Sequence, residues 1–477
     1  MNDLELVIGL EMHCELKSNA KVFSRAKNEY NETPNINVRP VDMGFPGTLP
    51  VVNKACINHA LKMALILNCE IPEYMIFDRK NYYYPDLPKG YQITQAHYPV
   101  GIKGQIDIHH NEQVFNVTIQ DIHLEEDAAS LDHLYNTSVI DYNRCGVPLL
   151  EIVTDPCLHS AEEAVAFLEQ MRQIYKYTGI SEADTKKGQI RCDVNVSVRP
   201  VGEKTLGTKV EVKNINSFGN VYATINYEIE RQIALIEAGK KAEIVQETRR
   251  YDEEQGITIT MRSKVDAIDY KYFIEPNLPP YPLAKELIEQ LKKEIPVLAP
   301  QRKIKYLEEY GLSDYDTTII VKEIEYANYF EECVTLGINP KTAANWLTVQ
   351  VLSYINKYVI DFNEFFITPA YLKQIIDAMN QGLISSKQAK EIFFKALETK
   401  QEPSSFISNE TSQITDEGEL QKIIEEIIAS NQEQVKTYLA GKDNLFDYFV
   451  GQVMKVTKGK ASPTLTKELL KKALANN

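Results

Sequence analysis

The stretch Arg191-Cys192-Asp193-Val194-Asn195-Val196-Ser197-Val198-Arg199 alternates without a break between apolar and polar side chains. A strand turns successive side chains to opposite faces. Cys192, Val194, Val196 and Val198 therefore share one face, and Arg191, Asp193, Asn195, Ser197 and Arg199 share the other. Thr208 to Lys213 repeats the pattern, with Val210 and Val212 apolar while Lys209, Glu211 and Lys213 point the opposite way. A one-sided antiparallel sheet with its polar face in water normally reads like this. The composition is unusual for that role, because Asn and Asp are poor strand formers. The polar face is either a solvated surface or a functional one.

Outward from this pair, further strands are expected at Glu5 to Leu16, Gln105 to Ile108, Val114 to Ile122 and Gln189 to Arg199. Ser160 opens a capping box with Glu163, the apolar positions Ala164, Phe167, Leu168, Met171, Ile174 and Tyr175 recur at helical spacing, and Gly179 ends the run. Beyond about residue 280 the period is almost wholly helical. The expected fold class is α+β: an N-terminal antiparallel-sheet domain with helices over 1–282, a helical domain over 283–402 and a small all-α tail over 403–477. Asn277-Leu-Pro-Pro-Tyr-Pro282 reads as a semi-rigid connection, and the Ser/Thr/Pro-rich stretch from Gln401 to Ser412 as a second linker. No internal repeat is visible.

The 477 residues carry a net charge of −15 with 44% hydrophobic content, an ordinary globular composition. The seven cysteines are scattered, with no C-x-x-C pair, which argues against a zinc ribbon or a disulfide framework and for a reducing compartment. The acidic start is unlike a signal or transit peptide, and no stretch approaches the ~18 apolar residues of a membrane span. A cytoplasmic protein without membrane contact is expected. Net acidity excludes broad nucleic-acid binding by the whole body, so any RNA contact must be local. Such a spot exists between Met454 and Asn477, where six lysines face one acid, although lysine-rich ends are often only solvated.

Other constellations bear on chemistry. Glu11 and His13 share a strand face, and His123-Leu124-Glu125-Glu126-Asp127 ends an alternating run. Oxygen ligands with one or two imidazoles suit Mg²⁺ or Mn²⁺ better than structural zinc. The segment Asp78 to Gln92 packs cations, four tyrosines and two prolines into a loop. There Arg79, Lys80 and Lys89 can hold phosphates while tyrosines stack on bases, or the rings can simply pack the loop. P-loop, Rossmann and nucleophile-elbow motifs are absent.

Val7-Ile-Gly-Leu-Glu-Met-His13, Phe45-Pro-Gly-Thr-Leu-Pro-Val-Val-Asn53, Asp78 to Gln92, His123 to Ala128, Asp141 to Val153, Arg191 to Pro200, Val210 to Phe218, Gln246 to Arg250 and Asp269-Tyr-Lys-Tyr-Phe273 occur in that order. Together with the tail Gly451 to Ala461, they closely resemble the GatB family, one of the components of the aspartyl/glutamyl-tRNA amidotransferases, over essentially the whole chain.

The resemblance implies a ligase working as a heterotrimer with an amidase partner, which releases ammonia from glutamine, and a small third component. The sheet domain would be the family's cradle, phosphorylating the side-chain carboxylate of mischarged Glu-tRNA(Gln) or Asp-tRNA(Asn) with ATP before ammonia displaces the phosphate. By matched motif, the resemblance implies metal ligands at Glu11, His13, Glu125, Glu126, Asp193 and Glu211, with Glu126, Lys80, Asp193 and Glu211 catalytic. It implies ATP or phosphate contacts at Arg79, Lys80, Lys89, Asn195, Lys209, Lys213 and Asn214. The tRNA contacts it implies are Tyr83, Tyr91, Gly451, Gln452, Lys455, Lys458 and Lys460. Mg²⁺ or Mn²⁺ is expected, and zinc is not: relatives often carry four thiolates before the Pro-Gly motif, whereas Ser24 and Val38-Arg-Pro-Val-Asp42 lack them. Lys186-Lys187, Val265 and Ile274 are further departures. The rival reading is a non-catalytic tRNA-binding scaffold paralogue, against which the intact acids argue.

Overall fold

Strict alternation lets the strand Ile190–Pro200 lie between two neighbours with one face dry, and the sheet is built outward from it. The computed structural model describes residues 4–110, 113–215, 217–263, 269–407, 417–439, 445–457, 461 and 463–475. The chain divides into two units, Met1–Pro300 and Gln301–Asn477.

In chain order the first unit contains β1 (Leu4–Glu15), α1 (Lys54–Ile66), β2 (Tyr74–Met75), β3 (Asp78–Asn81), β4 (Tyr91–Thr94), β5 (Gly101–His110), β6 (Gln113–Glu126), β7 (Ser130–Leu134), β8 (Thr137–Asp141) and β9 (Pro148–Thr154). It continues with α2 (Ala161–Thr178), β10 (Ile190–Pro200), β11 (Val210–Ile215), α3 (Phe218–Glu237), β12 (Glu247–Asp252), β13 (Ile257–Ser263), β14 (Phe273–Ile274), β15 (Tyr281–Pro282) and α4 (Lys285–Glu294). Eight strands form one sheet in the order β13-β12-β11-β10-β1-β9-β6-β5. Every neighbouring pair is antiparallel except β11–β12, which is parallel and joined through α3. A parallel neighbour needs such a crossover, whereas antiparallel ones close by short turns.

One face of the sheet is apolar and covered by helices. Leu10, Met12 and Cys14 of β1, Val194 and Val196 of β10 and Val212 of β11 share a core with Leu61 of α1, Phe167 and Met171 of α2 and Ile225 of α3. α2 starts where its cap places it: Ser160 Oγ accepts from Glu163 N, and Gly179 closes the helix with φ 65°. The reciprocal bond of the box goes one residue further out, from His159 N to Glu163 Oε2 at 2.7 Å.

Under β11 and β12, the fully buried Glu228 of α3 is held by Arg231 Nη2 at 2.8 Å and Arg249 Nε at 3.2 Å, and Arg249 Nη1 also donates to Glu247 at 2.6 Å. This network clamps α3 to β12. The proline-rich stretch before Leu283 is not a free connection: Leu278 and Leu283 are buried in the first core, β15 pairs with β2, and α4 adds Leu291 to that core. Prolines exclude a helix here, yet they leave an edge strand and apolar anchors available.

Between β1 and α1, where the sequence lacks thiolates, polar groups knit the chain. Asp42 accepts from Arg39 N at 2.8 Å, and the buried Lys21 lies 3.9 Å from it while donating to Tyr142 O at 3.3 Å.

The second unit is helical among its described residues, with α5 (Ala299–Glu308) beginning at the boundary. There follow α6 (Asp314–Ile320), α7 (Ile324–Thr335), α8 (Pro340–Asn345), α9 (Leu352–Tyr358), α10 (Pro369–Asn380), α11 (Ser386–Thr399), α12 (Glu417–Ser430), α13 (Gln432–Leu439), α14 (Leu445–Val456) and α15 (Pro463–Ala475). Trp346 opens a π-helical turn between α8 and α9. α12 to α15 share a core of their own, including Leu420, Ile424, Phe449, Val453 and Leu470. Among the described residues no helix is long and apolar enough to cross a membrane.

Arg249→Ala strips a cation from two buried carboxylates and is expected to cost ~3–5 kcal/mol. Arg249→Lys should recover only part of this, because an ammonium lacks the forked donors. Urea denaturation of the full chain checks both.

Candidate active site on the open face of the sheet

The opposite face of the same strands carries the chemistry. The antiparallel register sets Glu11 against Asp193 and His13 against Arg191 across β1–β10, and His13 against Glu151 across β1–β9. His123 lies against Glu151 across β6–β9, and Asn195 against Glu211 across β10–β11. Because all are in phase with the pleat, the side chains of five strands meet on one surface.

They form two adjacent donor groups. His13, Glu125 and Glu151 make the first and Glu11, Asp193 and Glu211 the second, with one ligand atom from each residue lying within 4.8 Å of the others in its group. One imidazole with two carboxylates, and three carboxylates, are donor sets for hard divalent cations such as Mg²⁺ or Mn²⁺, with no thiolate to favour zinc.

Each donor is fixed from behind. Glu151 Oε2 accepts from His123 Nε2 at 2.9 Å and lies 3.2 Å from His13 Nε2, while His123 Nδ1 reaches Asp121 at 2.8 Å. A carboxylate at each ring nitrogen favours the doubly donating, protonated form of His123. Asn195 Nδ2 donates to Glu11 at 2.9 Å, and the buried Thr248 donates to Glu211 at 2.9 Å. Lys213 Nζ balances the second group, 2.9 Å from Asp193 and 3.0 Å from Glu211.

Crowding of like charges sets the electrostatics. Burial pulls the His13 imidazole down, but Glu151, then Glu125 and Asp193, outweigh it and raise its pKa to about 9. His123 rises well above its ordinary value for the same reason, against its own burial. Burial pushes Glu151 up, yet its two imidazoles hold it well below the usual carboxylate range. Glu125 is raised by burial and then by Glu151 beside it. Lys80 is held above the ordinary lysine value in spite of burial, chiefly by Glu125.

Strand alternation sorts the other sequence candidates. Lys80 faces the first group. Arg79, its neighbour on β3, points to the other side of the small sheet β14-β3-β4, stacks 4.1 Å over Tyr91 and is bound by two oxygens of Glu275. Glu125 lies in the first group, whereas Glu126 turns to the β4 hairpin, where it accepts from Lys89 Nζ and from Ile93 N at 2.9 Å. The structure thus brings Glu11, His13, Glu125, Asp193, Glu211, Lys80, Asn195 and Lys213 together. Arg79, Lys89, Tyr91 and Glu126 form a brace next to them.

Lys209 is exposed just before β11, and Tyr83 is 91% exposed. Asn214 belongs to β11, but its side chain lies outside the described residues, as do Val265, Lys458 and Lys460. Gly451, Gln452 and Lys455 lie on α14 of the second unit, with Gly451 and Lys455 exposed. Sequence reasoning missed Glu151 as a donor and Thr248 as its neighbour's anchor. The available signal for Glu151 was one carboxylate inside the otherwise apolar run Pro148–Thr154.

An open antiparallel face carrying two groups of three ligand-type side chains beside a half-buried lysine is the kind of surface that suits phosphoryl transfer. Comparison with known proteins specifies the family. Residues 6–289 match the GatB/GatE catalytic domain and residues 328–474 the GatB domain. Curated proteins named as the B component of aspartyl/glutamyl-tRNA(Asn/Gln) amidotransferase are similar end to end. That of Persephonella marina is 44% identical over 99% of this chain and 100% of its own length. Those of Carboxydothermus hydrogenoformans and Oceanobacillus iheyensis are 43% and 42% identical, covering 100% and 99% of this chain and 100% of each relative. The chain belongs to the GatB family.

The protonated form of His13 favours the folded state, since its pKa stands at about 9 against an ordinary 6.5. In metal-free protein this stabilisation is complete below pH 6.5 and is lost as pH rises through about 9. The expected loss is on the order of 3 kcal/mol. Denaturation curves across that range should show the decline in the native chain and its flattening in His13→Gln.

Proposed function

We propose that this chain is the amidotransferase component that activates a tRNA-borne side-chain carboxylate, that of Glu-tRNA(Gln) or Asp-tRNA(Asn), by phosphoryl transfer from ATP, and hosts its conversion to the amide. The observation that carries this reading is the juxtaposition of two three-residue donor groups on one sheet face. A carboxylate is a poor electrophile at neutral pH. Moving the γ-phosphoryl of ATP onto its oxygen releases ADP and leaves an acyl phosphate, and ammonia then adds to the acyl carbon while inorganic phosphate departs.

Mg²⁺ or Mn²⁺ held by His13, Glu125 and Glu151, and by Glu11, Asp193 and Glu211, would neutralise charge on the transferring phosphoryl. Lys80, half-buried and with its charged form favoured by Glu125, is placed to pair with a phosphate oxygen. His123, Asn195 and Thr248 keep the donor carboxylates in fixed orientations, so little reorganisation is needed at the moment of transfer. Lys213 supplies a further cation next to Asp193 and Glu211.

Ammonia comes from an amidase partner, with a small third component completing the heterotrimer, and the protein works in the cytoplasm. The tail, 403–477, contacts the outer body of the tRNA through Gly451, Gln452 and Lys455 on α14 and through Lys458 and Lys460 beyond it. Zinc plays no part, and metal analysis of purified protein finding stoichiometric zinc would refute that.

Glu151→Gln removes a donor charge from the first group. In the reconstituted complex it should lower amide formation by ~10²-fold or more and weaken Mn²⁺ binding, while glutaminase activity of the partner is spared. Glu126→Gln, which breaks the brace with Lys89, should also abolish amide formation and spare the glutaminase. Unchanged transamidation in either variant contradicts the role given to that residue. Mn²⁺ binding should release protons and tighten as pH rises from 7 to about 9, because His13 must give up its proton to ligate. Calorimetry in buffers of different ionisation enthalpy reads this directly.

A further inference from the structure

β1 and β10 owe their register to burial, because a slip of one residue would turn an apolar face to water. β12 has no such face. Among Glu247–Asp252, Tyr251 alone packs against the core, and the ladder to β11 is a short parallel one, from Val210 against Glu247 to Lys213 against Arg250. Parallel pairing is the weaker kind per residue. Neither the apolar pattern nor the ladder is enough to set where this strand sits.

Its register nevertheless decides how one donor is held on the open face. Thr248 stands against Glu211, is buried, and donates from Oγ1 to Glu211 Oε2 at 2.9 Å, while Lys213 Nζ lies 3.0 Å from Oε1. A slip of two residues would keep the faces of β12 but replace this short hydroxyl by the long side chain of Gln246 or Arg250.

What fixes the register lies on the other side. Glu247 and Arg249 flank Thr248 in the chain and so turn to the covered face. There Arg249 donates from Nε to Thr258 Oγ1 at 2.7 Å, from Nη2 to Thr258 O at 2.7 Å, and from Nη1 to Thr260 Oγ1 at 2.9 Å and Glu247 Oε1 at 2.6 Å. Thr260 Oγ1 donates to Glu247 Oε2 at 2.7 Å, and Thr258 Oγ1 donates to Glu228 Oε1, which Arg249 Nε approaches to 3.2 Å. Glu228, fully buried on α3, also accepts from Gln232 Nε2 at 3.2 Å, and Gln232 lies 3.5 Å from Val196 O of β10.

A forked cation with acceptors on β12, β13 and α3 admits one placement of its own backbone. A two-residue slip, about 7 Å, would carry it from all of them and leave a buried carboxylate unpaired. The β12–β13 ladder shifts register between Thr248 and Arg249, at the peptide that joins the open-face bond to the covered-face clamp. Such irregularities re-aim side chains beside functional sites.

We propose that Arg249 and Glu228 are positioning residues for the second donor group: from the covered face they fix the register of β12, and through Thr248 they hold the Glu211 carboxylate as a ligand beside Glu11 and Asp193. The inference rests on the function proposed above and deepens it, since neither residue lies on the open face.

The test is Mn²⁺ titration of the full-length chain, read by the EPR signal of the free ion. Binding that Asp193→Asn removes reports the second group. Thr248→Val keeps the shape and deletes the donor, and it should weaken that binding about tenfold or more. Arg249→Lys keeps the charge and deletes the fork, and it should weaken it to a similar degree. Binding that Glu151→Gln removes, at the first group, should be unchanged in both. The double variant should lose no more than Thr248→Val alone, because Arg249 acts only through Thr248. Leu61→Ala, in the same core but on α1, lowers stability and should leave Mn²⁺ affinity as it is. Losses that add in the double variant, unchanged affinity in Arg249→Lys, or an equal loss in Leu61→Ala overturns the positioning role and leaves the donor group standing. A native chain whose Mn²⁺ binding is indifferent to Asp193→Asn instead overturns the donor group, and with it the function proposed above.

Discussion

The antiparallel pairing of β1 with β10 is the constraint from which the rest follows. Its register sets Glu11 opposite Asp193 and His13 opposite Arg191, and the pleat sends Met12, Cys192 and Val194 to the other side. A slip of one residue would exchange the two faces, burying carboxylates under α2 and exposing the valines. The hydrophobic face thus enforces the register that the chemical face requires. β9 and β11 extend the arrangement in either direction, and each strand adds one or two polar side chains to a surface whose backbone is already saturated by sheet hydrogen bonds.

So many acids on one face would repel if left to themselves. The structure answers with cations placed among them, not with distance. His13 and His123 flank Glu151, Lys80 lies beside Glu125, and Lys213 bridges Asp193 and Glu211. Each carboxylate oxygen engaged in this way is also oriented, which is why the same residues that make the face tolerable make it a preorganised site. On the covered side, Glu228, Arg231 and Arg249 apply the same rule where water is excluded.

Much of the local structure is visible in the residues. Ser160, Glu163 and Gly179 delimit α2, and the alternation from Arg191 to Arg199 defines β10 and both its faces. Other features resist such reading for identifiable reasons. Glu247–Asp252 carries few apolar residues, and its place as a parallel neighbour of β11 depends on α3 crossing over the sheet. The prolines between Asn277 and Pro282 signal a break in helix, but not that Leu278 and Leu283 anchor the segment in the first core. Glu151 sits in an apolar run whose partners, β1 and β6, lie more than twenty residues away along the chain.

Periodicity, capping and residue type are properties of neighbours along the chain. The sequence by itself therefore determined the elements, the polar face and the oxygen-rich character of the site, and its ordered motifs identified the family. Which side chains meet is a property of strand order and of which way each pleat turns. Only the tertiary structure could separate Lys80 from Arg79 and Glu125 from Glu126, and unite Glu151 with His13. Adjacent residues on a strand point apart, while residues 138 positions apart, as these two are, come to face each other once β1 and β9 exchange hydrogen bonds.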